Sequence, residues 1–243
     1  MSIITKIIEE FLNSPRQRDN YLSMKIHIDE DDNRKFRVSD AGRCRLYRYW
    51  KRQGKDQPAK ETHLLQIMEM GNLIHAWLEY ALDSKGILHN AEIIVSDEHR
   101  KGHADALVYV NGHIALYDFK TIGSKQAWYM LNNGAKAKRE HQYQVLSYMD
   151  MINTAQTSEI IDVKEARIAY ITREEVSSKY DDKIPPLHVI ADVAADLDLL
   201  PAVKTDWQAL IRAWEEQQEP QANPQAWKCK YCPYHGTCEK NFN

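Results

Sequence analysis

The chain has 243 residues, 43% of them hydrophobic and 28% charged, enough for one sizeable core or a core with a small appendage. A formal net charge of −3 and a pI near 6.4 exclude a global nucleic-acid signature, so any contact with a polyanion must come from a local basic patch. No apolar run approaches the roughly 20 residues of a membrane span and Met1 to Asn13 lacks a signal-peptide layout, so a soluble, cytoplasmic protein with reduced thiols and no membrane partner is expected.

Ile3 to Leu12 has helical periodicity, ended by Asn13, Ser14 and Pro15. Arg16 to Arg37 is polar and irregular. Ser39 reads as the N-cap of a helix running through Cys44 to about Arg52, with Gly54 as its stop. From Arg43 to Lys60, seven cations (Arg43, Arg45, Arg48, Lys51, Arg52, Lys55, Lys60) face Asp56 alone, with Tyr47, Tyr49 and Trp50 interleaved. Such a run is either a solvated helix face or a grip on DNA, whose phosphates take cations and whose bases stack on rings. A longer helix is predicted from about Glu61 to Ser84, closed by Gly86, with Leu64, Ile67, Met68, Ile74, Trp77, Leu78 and Leu82 as its buried stripe. Gly71, His75 and Glu79, four apart, share one face, and a glycine inside a helix costs about 1 kcal/mol, which suggests close approach by another backbone or by substrate.

Glu92 to Ser96 is the strand before a hairpin that can be read by counting. In Gly102 to Lys120, two apolar runs flank Asn111-Gly112, the dipeptide that best accepts the two positive φ angles of a type I′ turn. With Val110 opposite His113, paired positions sum to 223, Asp105 faces Asp118, and Lys120 lies on the same side as both. Opposed like charges destabilise a strand pair, so folding alone gives no reason for them. Either the hairpin end frays into solvent or a divalent cation such as Mg²⁺ lies between the acids, with the lysine orienting or deprotonating a water. Ala106, Val108 and Ala115 on one face and Leu107, Ile114 and Leu116 on the other suggest burial on both sides, which disfavours fraying.

Beyond the hairpin a short helix is predicted for Ser124 to Asn132 and a long one for Lys136 to about Ala155, where Gln144 and Tyr148 face the same way and Val145, Met149 and Ile152 supply core. Strands follow at Glu165 to Thr172 and Leu187 to Ala191, separated by a charged loop from Arg173 to Pro186. Asp192 to Glu219 returns to helix, bent or broken at Pro201. The result is an α/β chain with a mixed central sheet and flanking helices. At its end stand Cys229, Cys232 and Cys238, and the fourth cysteine is Cys44. Four thiolates suit tetrahedral zinc or an iron-sulfur cluster.

Gly102-x-x-Asp105, Asp118-x-Lys120 and Gln144-x-x-x-Tyr148, in this order and after Gly71-x-x-x-His75, resemble the PD-(D/E)xK nuclease superfamily and its RecB-like branch. The resemblance implies a restriction-endonuclease-like core in one domain spanning the whole chain, residues 1–60 being an N-terminal DNA-gripping part and 220–243 a cysteine-rich tail. It implies that His75, Asp105, Asp118 and the backbone carbonyl of Phe119 hold Mg²⁺ or Mn²⁺, that Lys120 positions the attacking water, and that Gln144 and Tyr148 guide the strand. One distant cysteine joined to a terminal trio resembles the [4Fe-4S] staple of AddB-type and CRISPR-associated relatives, with Zn²⁺ as the alternative. The implied activity is a metal-dependent deoxyribonuclease acting on single-stranded DNA or ends. The rival readings are an end-processing subunit beside an integrase or recombination partner, in CRISPR adaptation, phage recombination or repair, and a DNA-binding module with little activity.

Overall fold

The computed structural model describes residues 2–12, 34–155, 161–177 and 183–238. In chain order it contains α1 (Ile3–Leu12), β1 (Phe36–Arg37), α2 (Arg45–Arg52), α3 (Thr62–Ser84), β2 (Leu88–Ser96), β3 (Arg100–Val110), β4 (His113–Ile122), α4 (Ser124–Asn133), α5 (Arg139–Thr154), β5 (Glu165–Thr172), β6 (Val176–Ser177), β7 (Lys183–Ile184), β8 (Val189–Ala194) and α6 (Leu200–Glu215). The irregular stretch expected after Pro15 lies outside the described residues as far as residue 33.

The expected mixed sheet with helices on its faces is present. Its order is β1-β3-β4-β5-β8, with β2 also paired to β3. β3 is antiparallel to β2 and β4, β4 runs parallel to β5, and β8 closes the sheet antiparallel to β5. A parallel pair needs a crossover, and α4 and α5 supply it. One core joins α1 and α3 to Ala106, Val108, Val110, Ala115 and Tyr117; the other joins α2, α5 and α6 to Leu107, Leu116, Ile168 and Tyr170. The alternation read along the hairpin is thus the division between two buried layers, and the strands are apolar on both faces for that reason.

Several boundaries differ from expectation: β2 starts at Leu88, ahead of Glu92, and β8 runs to Ala194 through residues expected in the last helix, because both pair along a longer neighbouring strand. The helix assigned to Ser39 begins at Arg45 with Cys44 as N-cap, because Gly42 turns the chain at φ +73° and packs so closely that a Cβ there would lie 2.9 Å from Glu140 Cα. Leu64, Ile67 and Met68 are 44%, 38% and 50% exposed, so the buried stripe of α3 starts only at Ile74, where α1 and the sheet cover it. Pro201 opens α6 instead of bending it, since its missing N–H is free of cost in a first turn. The charged loop from Arg173 contains the small ribbon β6–β7. No helix among the described residues is long and apolar enough to cross a membrane.

Candidate active site

The hairpin turn forms as its sequence demands, with Asn111 at φ 49° and Gly112 at φ 83°. Pairing runs from Val110–His113 to Ala106–Tyr117, all in the counted register. At the next position the ladder stops. From Asp118 onward β4 belongs only to β5, Asp118 beside Ile168 and Lys120 beside Tyr170. Asp105 is left at the fork, and its Oδ2 accepts the Phe119 backbone N–H at 2.6 Å in place of a strand bond. The two acids therefore stand at a parting of strands and not across a closed ladder.

Lys120 Nζ lies 2.8 Å from Asp118 Oδ2, and Asp118 is 1% exposed. Asp118 Oδ1 has no hydrogen-bond donor among the described residues. Burial drives both carboxyls up to about 6, although Lys120 pulls the other way in each. Burial also works against the Lys120 ammonium, but Asp118 and Asp105 outweigh it and hold the pKa above the ordinary lysine value. His75 reaches the fork from α3, with Nδ1 3.6 Å from Asp105 Oδ2 and its ring edge-on to Phe119. Burial, then Lys120, push its pKa down to about 4, so the imidazole is neutral at pH 7 with a lone pair to give.

Of two further neighbours, Glu79 is legible in the sequence on the face of His75, and Glu92 is not legible as a site residue. Glu92 lies between the pairs Ala91–Ala106 and Ile93–Ala104, level with Asp105, and its φ of 49° is a left-handed geometry that strand periodicity cannot announce. Extending the strand count from β3 into β2 would have placed it there. Glu79, 4% exposed, is driven up to about 8 by burial and then by Glu92 and Asp105, so it stays protonated at neutral pH.

From the other layer, α5 brings Gln144 to a cavity of about 580 Å³ shared with Lys120 and His141. Gln144 Nε2 is 3.5 Å from Tyr148 Oη, while Tyr148 itself is 2% exposed and packs on Gly102. A Cβ on Gly102 would come within 2.7 Å of Tyr148 Cε1, which is why the segment before Asp105 carries a glycine. His141, one turn before Gln144 on α5, has Nδ1 2.9 Å from Tyr170 Oη. That hydroxyl already accepts the Lys138 N–H, and in a fully buried site its one proton needs an acceptor. With His141 Nδ1 assigned as that acceptor, the ring proton falls on Nε2.

The same cavity is lined by Cys44, Cys229, Cys232 and Cys238, all reduced. Burial raises the Cys232 thiol, and the other three cysteines raise it further. Tyr234 seats the tail on α2 through Tyr47 and Trp50, at ring separations of 5.8 and 5.4 Å, and its hydroxyl accepts from Gln57 Nε2 at 2.7 Å.

As it stands, no group of three or more His, Cys, Asp or Glu side chains among the described residues is arranged to hold a metal ion. The donors nevertheless fit one. Two buried carboxyls, with one Asp118 oxygen lacking a donor, and the neutral His75 nitrogen are donors that would suit a divalent cation.

The basic helix is largely spent on structure. Arg48, 2% exposed, pairs with Asp206 and stacks on Trp207; Lys51 pairs with Asp40 at 2.6 Å; Arg52 lies over Phe36 and Trp214.

No curated protein sequence matches the chain. Among solved structures it is similar to SSO0001, with 18% identity over 99% of this chain and 95% of that one and a TM-score of 0.49. It is also similar to the alkaline exonuclease LHK-Exo of Laribacter hongkongensis, with 13% identity over 75% and 89% and a TM-score of 0.47. A phage-related exonuclease of Haemophilus somnus is similar at 15% identity over 88% and 93%, with a TM-score of 0.46. The family model of the PD-(D/E)XK nuclease superfamily matches residues 100–239, more than half the chain, from the first residue of β3 past the last cysteine. With that match laid over the fork of Asp105, Asp118 and Lys120, the chain belongs to the PD-(D/E)XK nuclease superfamily.

Proposed function

We propose that the protein is a Mg²⁺- or Mn²⁺-dependent deoxyribonuclease of the RecB-like branch, cutting single-stranded DNA or DNA ends. The observation that carries this reading is the fork itself, where Asp118 keeps one buried oxygen without a donor beside Lys120 at 2.8 Å. His75, Asp105, Asp118 and the Phe119 carbonyl would hold the cation. When bound, it supplies Lewis-acid charge for the phosphate and lowers the pKa of a water. The chain's own part is to position and to neutralise. Lys120, kept charged by the two aspartates, orients the attacking water and offsets charge on the phosphate. Gln144 and the Nε2–H of His141 are further donors on the wall of the same cavity. Tyr148, buried on Gly102, supports Gln144 from behind.

The four cysteines would hold a [4Fe-4S] cluster, with Zn²⁺ as the rival, and their common cavity supports a shared group. It would act as a clip tying α2 to the tail, by the loop-entropy argument used for disulfides stabilising the fold by about 5 kcal/mol. Tyr234 already makes part of that clip.

A second reading, an end-processing subunit of a larger assembly such as one with an integrase, is favoured by one feature. Among the described residues, the first half of α3 exposes Leu64, Leu65, Ile67, Met68, Met70 and Leu73 on consecutive turns, and contiguous exposed apolar residues mark interaction sites.

The test is an assay of end-labelled single-stranded and duplex DNA, with circular controls, in Mn²⁺ and in chelator. Cleavage that needs metal and vanishes in both Lys120→Ala and Asp118→Ala is expected. Near-normal turnover in either variant would overturn the assignment.

A further inference from the structure

With the cations of α2 bound to Asp40, Asp206 and aromatic rings, the charges first assigned to gripping DNA are mostly committed elsewhere. The large aromatic side chains most exposed among the described residues lie at the other end of the chain: Tyr231 is 71% exposed and Trp227 is 63% exposed. Both line the cavity that contains Lys120 and Gln144.

Their arrangement follows from local geometry. Ala226–Tyr231, AWKCKY, is a 3-10 helix, and at three residues per turn side chains at i and i+3 stand one above the other. Cys229 points inward and is buried. The other two columns each hold one ring and one cation, Trp227 with Lys230 and Lys228 with Tyr231. Between columns, Lys228 Nζ lies 5.2 Å from the Trp227 ring centre and Lys230 Nζ 5.0 Å from that of Tyr231. Lys228 is also fixed from below by Glu140 at 2.7 Å. A packing role does not explain two rings left in water, each with an ammonium over it.

We propose that Trp227 and Tyr231, with Lys230, form a stacking platform for unpaired bases of a DNA single strand, on the tail segment that lines the same cavity as the cysteines and Lys120. Every base offers a π face to a ring, and Lys230 meets a phosphate beside it, while Lys228, paired with Glu140, holds the segment in place. Duplex DNA hides those faces, so the platform discriminates for single strands. The inference rests on the nuclease reading for its direction, toward Lys120, but binding can be measured without cleavage.

The experiment uses the full chain, with its cysteine-bound group intact, in chelator, with a labelled oligo-dT and a blunt duplex of equal length followed by anisotropy over a salt series. Trp227→Ala and Tyr231→Ala should each weaken single-strand binding by roughly 5- to 150-fold. Neither should weaken duplex binding by more than twofold. Trp227→Phe and Tyr231→Phe should retain most affinity, because the ring remains. Lys230→Ala should lower the salt slope by about 0.7. If an alanine variant fails to fold, the wild type still decides: oligo-dT should quench its tryptophan emission, and Trp227→Phe should lose most of that quenching. Alanine variants that bind oligo-dT like the wild type, or that lose both DNAs equally, would overturn the platform. A wild type that binds oligo-dT yet never cuts in Mn²⁺ would overturn the nuclease reading and leave the platform standing.

Discussion

At the scale of single residues, Asp105, Asp118 and Lys120 were readable because an Asn-Gly turn fixes register and register fixes faces. His141 was not readable, because its role depends on Tyr170, a residue of another strand whose hydroxyl decides which nitrogen carries the proton. This gives a discriminating pair of variants. Gln places an amide where Nε2 was, and Asn places one where Nδ1 was. If the ring serves the phosphate through Nε2–H, His141→Gln should keep cleavage within about tenfold of wild type, and His141→Asn should lose it by about 10²-fold, mostly in kcat. Rescue by Asn instead would make His141 a partner of Tyr170 and nothing more. The carboxyls carry a pH signature of their own. Asp105 and Asp118 have folded pKa values raised from 3.8 to about 6, so the metal-free fold binds extra protons between those values and loses stability as pH rises through that window. Cation binding needs the ionised forms, and the gain in Tm from Mn²⁺ over chelator should therefore grow from about pH 4 to about pH 6 and level off above it.

At the scale of elements, the hairpin was legible since everything that sets it is local. Its fork was not, because β4 leaves β3 for β5, a partner separated from it in sequence by two helices. The burial of the basic helix's cations was not legible for a similar reason: their partners, Asp206 and Trp207 on α6, are remote in sequence. Leu64, Ile67 and Met68 fit a stripe by period but have no element over them among the described residues. Arg48 provides the test. Its side chain is 1% exposed and pairs with an aspartate that is 10% exposed. Arg48→Ala should lower stability by about 3 to 5 kcal/mol, by leaving Asp206 with a poorer partner and Trp207 uncovered. Urea melts would show it, while oligo-dT affinity of the folded variant should stay near wild type. A loss of DNA binding at full stability would return α2 to the role first expected of it.

At the scale of the whole molecule, helices on both faces of a mixed sheet follow from hydrophobic periodicity, whereas the seating of the tail on α2 runs through Tyr234, whose partners Tyr47 and Trp50 lie far away in sequence. Protein purified without oxygen should be brown, absorb broadly near roughly 400 nm and carry about four irons. Colourless protein with one zinc per chain would decide for the tetrahedral alternative. Everything in the catalytic account, however, turns on whether the fork is a cation site. The direct measurement is a thermal melt of wild type and Asp118→Asn at pH 7.5, in chelator and in excess Mn²⁺. Without metal, ionised Asp118 is buried at a cost, so the asparagine variant should be the more stable by about 1 to 3 kcal/mol. With metal at about one hundred times its dissociation constant, wild type should gain about 2.7 kcal/mol and the variant little, reversing the order or closing the gap. A variant that is less stable than wild type in chelator, or that gains as much from Mn²⁺, would contradict the assignment of Asp105 and Asp118 to a metal.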